Sequence, residues 1–108
     1  MLTPEERTSL DLIRAELEAL LAPRRPRLIL FGSKARNEET PDSDTDVAII
    51  VPGLDRTLRQ KIIEIIVRIE VERVTPLSTL ILDAEEFERL KRRERRLALD
   101  IEREGIPL

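Results

Sequence analysis

Two short apolar runs with a polar stretch between them do most to limit how this chain folds. Arg27 to Phe31 reads RLILF and meets Gly32 at once; Thr45 to Val51 reads TDVAIIV and is closed by Pro52-Gly53. Runs this short and continuous, bounded by turn residues, fit strands buried in a sheet. Leu77 to Leu82 (LSTLIL) reads as a third strand. Helical patterns surround them. Thr3-Pro4-Glu5-Glu6 is a helix start, with Thr3 as cap, Pro4 at the first helical position and Glu6 completing a capping box. Leu10, Ile13, Leu17, Leu20 and Leu21 follow on one helical stripe. Ser33 to Arg36 reads as a short helical turn and Asn37 to Ser43 as a loop. Asp55 can cap a helix carrying Leu58, Ile62, Ile65, Ile66 and Ile69; its end lies between Glu70 and Thr75, because Val71 and Val74 also suit a strand. Asp83-Ala84-Glu85-Glu86 opens another helix, and Glu94 to Glu104 reads as helical with Gly105 as its C-cap residue. This order predicts an α/β (α+β) fold, a small mixed sheet of three to four strands with helices packed on it, in one domain over residues 1–108.

Composition narrows the chemistry. With 41% hydrophobic and 38% charged residues, the 108-residue chain is globular and not disordered. It has no cysteine, which excludes disulfides, thiolate metal sites and a thiol nucleophile, and no histidine, which removes the commonest general base and zinc ligand. Reactions must rest on carboxylates, hydroxyls, Lys and Arg. The net charge of −3 gives no global field for nucleic acid. The basic runs Arg24-Arg25-Pro26-Arg27 and Lys91 to Arg96 lack the aromatic residues that stack on bases, so nucleic acid is not the expected partner. No run approaches the roughly 18 apolar residues of a membrane span and no signal-peptide pattern begins the chain, so a cytoplasmic protein is expected.

The stretch that carries chemistry is FGSKARNEETPDSDTDVAIIV, Phe31 to Val51. Gly32-Ser33, between a strand and a helical turn, permits close backbone approach and offers N–H groups to an anion, with Lys34 and Arg36 adding positive charge. Asp44 and Asp46, two apart at the mouth of a strand, project to one side. Two such carboxylates repel unless a cation such as Mg²⁺ joins them, and Mg²⁺ keeps coordination sites for substrate phosphates. Alone, the Gly-Ser pair is an ordinary turn and the Asp-x-Asp a solvated junction. Together, on adjacent strand ends, they match what a nucleoside triphosphate with its metal requires.

The run Gly32-Ser33-Lys34-Ala35-Arg36, followed by Pro41-Asp42-Ser43-Asp44-Thr45-Asp46 and an apolar strand, resembles the minimal nucleotidyltransferases of the DNA polymerase beta-like nucleotidyltransferase superfamily. The motif covers about a fifth of the chain, and element order and length agree with it. The resemblance implies that Gly32 and Ser33 hold the β- and γ-phosphates of ATP, with Lys34 and Arg36 beside them. It implies that Asp44 and Asp46 are the catalytic metal ligands for Mg²⁺. It implies transfer of AMP to an acceptor hydroxyl, and a role as antitoxin to an HEPN-domain partner, AMPylating a tyrosine of that partner. Two departures stand out. Asn37 takes a position often held by Gly, and Asn tolerates positive φ. The family's third carboxylate, on the next core strand, has no counterpart in Leu77 to Leu82; Glu70 and Glu72 lie before that strand and Asp83, better read as a helix cap, after it. A binding module that neutralises a partner without catalysis is the competing expectation.

Overall fold

A computed structural model of the chain describes residues 2–38, 40 and 43–108. Helix α1 (Pro4–Leu21) leads into β1 (Arg27–Phe31) and β2 (Asp46–Val51). Helix α2 (Arg56–Arg73), β3 (Ser78–Asp83), α3 (Ala84–Arg92), α4 (Arg96–Glu104) and β4 (Ile106–Pro107) follow. The sheet order is β3-β2-β1-β4; β2 pairs antiparallel with β1 and parallel with β3. Parallel neighbours need a crossover, which α2 provides.

β2 is the centre of the sheet and is buried on both faces, which is why its sequence is a continuous apolar run. Val47, Ile49 and Val51 join Leu10, Ile13, Leu17 and Leu21 of α1 and Ile62, Ile66 and Ile69 of α2. Ala48 and Ile50 face the other way, with Ile29 of β1, against Phe87 of α3 and Ala98 and Ile101 of α4. The period of two along one strand thus sorts the helices into two layers. Among the described residues no helix is long and apolar enough to cross a membrane.

The caps fall where the sequence places them. Thr3 Oγ1 accepts from Glu6 N–H while Glu6 Oε1 accepts from Thr3 N–H. Asp55 caps α2 through Leu58 N–H, and Asp83 caps α3 through Glu86 N–H. Asp83 also accepts from Leu54 N–H, joining the β2–α2 turn to the start of α3. The open question at the end of α2 resolves as helix to Arg73, with Val74 as C-cap in the left-handed region at φ 49°. Gly105 is the C-cap of α4, but at φ −68° it is not left-handed. Its lack of a side chain serves close packing: a Cβ there would lie 2.3 Å from Ile29 Cγ2 and 2.2 Å from the Ile101 carbonyl oxygen. That approach lets Ile106 and Pro107 pair with Leu30 and Ile29 as the fourth strand. At the opposite edge, Arg59 of α2 donates to the backbone carbonyl of Ile81 in β3, at 3.0 Å.

Candidate functional site

The antiparallel register sets Phe31 beside Asp46, so the turn after β1 and the start of β2 lie at the same end of the sheet. Gly32 adopts φ +76°, a conformation that favours glycine, and a Cβ built on it would stand 2.3 Å from Asp46 Oδ2. The glycine therefore makes room for the aspartate. The chain then winds through a tight turn in which Ala35 and Arg36 N–H bond the Gly32 carbonyl and Glu38 N–H bonds that of Ser33. The N–H groups of Ser33 and Lys34 precede these bonds and have no acceptor among the described residues. Asn37 takes φ 60°, as its position in the turn requires.

Asp44 is exposed and Asp46 half-buried, and neither side chain has a hydrogen bond or ion pair among the described residues. Two unpartnered carboxylates and two open N–H groups are a donor set suited to Mg²⁺ carried by a polyphosphate, which needs only one or two protein carboxylates. The residues present fit that group. Asp44 also lines a cleft of about 490 Å³ with Ser43, Thr45, Lys34 and Ser78, walled by Val74, Pro76 and Leu77 and by the start of α1. Gly32, Ser33, Arg36 and Asp46 stand outside its lining.

Lys34 and Arg36 are both engaged. Arg36 is exposed and pairs with Glu38 at 3.1 Å and with Glu104 of α4 at 3.4 Å. Exposed pairs of this kind are weak and exchange readily. Lys34 is different: its side chain is only 13% exposed, and its ammonium bonds Glu6 and Thr45. Burial pushes the Glu6 carboxyl up, but the Thr3 N–H, the Thr45 hydroxyl and Lys34 together outweigh it and hold the group at about 2. Glu6 is legible in the sequence only as a capping-box residue. Its second role, against Lys34 and Thr45, depends on how α1 docks on the sheet, and no local signal carries that.

Among the described residues no third carboxylate joins Asp44 and Asp46, and no group of three acids is placed to hold a metal. Glu70 and Glu72 belong to the last turn of α2, and Glu72 pairs with Arg68 at 3.5 Å. Asp83 lies opposite Val51, at the far end of the β2–β3 ladder from Asp46. The β3 residue in register with Asp46 is Ser78. Asp42 and Pro41 of the motif lie outside the described residues.

The family model for the nucleotidyltransferase domain matches residues 10–103. A search of curated proteins found no match. Among solved structures, a Sulfolobus solfataricus protein provisionally called a nucleotidyltransferase superposes with a TM-score of 0.52. The match covers 99% of this chain and 87% of that one at 16% identity, a likeness that shows the fold.

Proposed function

The chain belongs to the nucleotidyltransferase domain family, and from that premise we propose that it transfers AMP from ATP, with Mg²⁺, to a hydroxyl of a partner protein. The partner in this reading is an HEPN-domain toxin, and the chain its antitoxin. The observation that supports the reading is the meeting of Gly32 with Asp46 at one end of the sheet, beside open N–H groups. Gly32 and the N–H groups of Ser33 and Lys34 receive the β- and γ-phosphates, with exposed Arg36 as a nearby cation. Asp44 and Asp46 hold the Mg²⁺, which when bound neutralises phosphate charge. The acceptor oxygen bonds the α-phosphorus as the bond from that phosphorus to the bridging oxygen breaks, and pyrophosphate leaves. The hydroxyl proton passes to solvent; among the described residues no third acid is grouped with the pair as a metal ligand.

That same vacancy favours a second reading, a nucleotide-binding module that neutralises its partner by complex formation alone. Incubation with ATP, Mg²⁺ and an HEPN-domain protein, read by intact mass, separates the two. An adenylate adduct on the partner, lost in Asp44→Asn/Asp46→Asn, establishes transfer. A tight complex without an adduct establishes the module. If the double variant binds ATP with Mg²⁺ as well as the parent does, the metal assignment to these aspartates is wrong.

A further inference from the structure

Lys34 follows the Gly32-Ser33 turn, where a free ammonium would meet phosphate. Its Nζ instead donates to Glu6 Oε2 at 3.0 Å, to Glu6 Oε1 at 3.2 Å and to Thr45 Oγ1 at 2.6 Å. An ammonium has three N–H donors, so all three are taken. The Thr45 hydroxyl donates onward to Glu6 Oε2, closing a triangle. Glu6 and Thr45 are buried, at 8% and 4% exposure. Drawing Lys34 out to a phosphate would strand a buried carboxylate, which is strongly unfavourable.

Thr45 is the residue between Asp44 and Asp46. Thr45 lines the cleft together with Asp44 and Lys34, while Asp46 stands outside that lining. Its hydroxyl is held by Glu6 and Lys34, and its carbonyl accepts from Ser78 N–H at 2.9 Å. The aspartates have no side-chain partner of their own among the described residues; Asp46 is placed by its ladder to Phe31 and Ser78, and the approach to it, including Asp44, by the anchored Thr45.

We infer that Glu6, Lys34 and Thr45 are a positioning triad for the Asp-x-Asp segment, and that Lys34 acts through Thr45 and not on the triphosphate. This rests on the nucleotidyltransfer reading.

The decisive experiment is calorimetric titration of ATP in Mg²⁺ and in EDTA, with Mn²⁺ binding to the nucleotide-free protein read by electron paramagnetic resonance. Thr45→Val keeps the ion pair and the side-chain shape while deleting the hydroxyl. It is expected to weaken Mg²⁺-dependent ATP binding and Mn²⁺ binding by on the order of tenfold, the usual effect of releasing a group that orients a metal ligand. Binding in EDTA should be unchanged. Lys34→Met should act in the same way, and the pair of changes should cost no more than one. Exchange of the Ser78 amide should be faster in both variants. If Lys34→Met fails to fold, Glu6→Gln/Lys34→Met, which strands no charge, takes its place. The inference is overturned if Lys34→Met weakens ATP binding equally with and without metal while Thr45→Val leaves it unchanged, for Lys34 is then a phosphate ligand. It is also overturned if the parent binds Mg·ATP and none of these variants differs from it. A parent that binds no Mg·ATP refutes the nucleotidyltransfer reading and takes this inference with it.

Discussion

Gly32→Ala tests the geometry of the site without touching a carboxylate. The substitution carries two penalties. An L-residue at φ +76° costs about 1–2 kcal/mol relative to glycine. The new Cβ also meets Asp46 Oδ2 at 2.3 Å, so the carboxylate must swing away, at about 0.5–1.5 kcal/mol if it leaves its rotamer well. Restricting the unfolded chain returns about 0.4–1 kcal/mol. The net loss is about 2 kcal/mol, which for 108 residues lowers the melting temperature by roughly 9 °C. Removing the carboxylate first separates the penalties. In an Asp46→Ala background the nearest remaining atom is Asp46 Cβ at 3.4 Å, an ordinary contact, so only the backbone penalty survives. Gly32→Ala should then cost about 1 kcal/mol less than in the parent. The assay is thermal and urea unfolding of all four proteins by far-UV circular dichroism, with Mg²⁺-dependent ATP binding alongside. Equal cost in both backgrounds would refute the claim that the glycine exists to admit Asp46. Undiminished ATP binding in Gly32→Ala would refute the claim that this approach matters to the site.

Three further outcomes are expected. The Glu6 carboxyl falls from its ordinary value of 4.5 to about 2 on folding, a difference worth about 3 kcal/mol as an order of magnitude. Because the folded value is the lower one, this stability is present in full above about pH 4.5 and drains away as pH falls toward 2; acid titration of unfolding should show a shallower limb in Glu6→Gln, and an unchanged limb would count against the buried ion pair. Val74 sits at φ 49° and is 86% exposed, so Val74→Gly relieves backbone strain and forfeits little burial; a gain of about 1 kcal/mol in urea unfolding is expected, and a loss would show that this valine is packed. Phe87 is fully buried between α3, α4 and the sheet; Phe87→Ala should cost about 3–5 kcal/mol, and a cost under about 1 kcal/mol would mean that the α3–α4 layer is not a packed core.

How far the sequence reveals this structure depends on how local each signal is. The strand runs, the Thr3, Asp55 and Asp83 caps and the stripe on α1 are all set by neighbours in sequence, and they fold where the pattern places them. The juxtaposition of Gly32 and Asp46 is legible once the two runs are taken to pair, because the antiparallel register brings those ends together. What escapes is long-range. β4 is two residues long, too short to show a period, and exists because Gly105 lets the chain press against Ile29. The engagement of Lys34 is equally hidden, since Glu6 lies 28 residues away in sequence and advertises only its local cap. The handedness of Val74 runs against the propensity of a β-branched residue, which is why valines near the helix end read equally well as strand.

The arginine on the Ile81 carbonyl has a consequence for how the molecule behaves in company. β3 is an outer strand, and an outer strand with free peptide groups is a template on which another chain can add. Arg59 reaches across from α2 and occupies a carbonyl in the middle of that strand with a charged donor. An incoming strand would have to displace a guanidinium to continue its pairing past Ile81. The same contact that fastens α2 to the sheet thus also guards the chain against edge-to-edge aggregation.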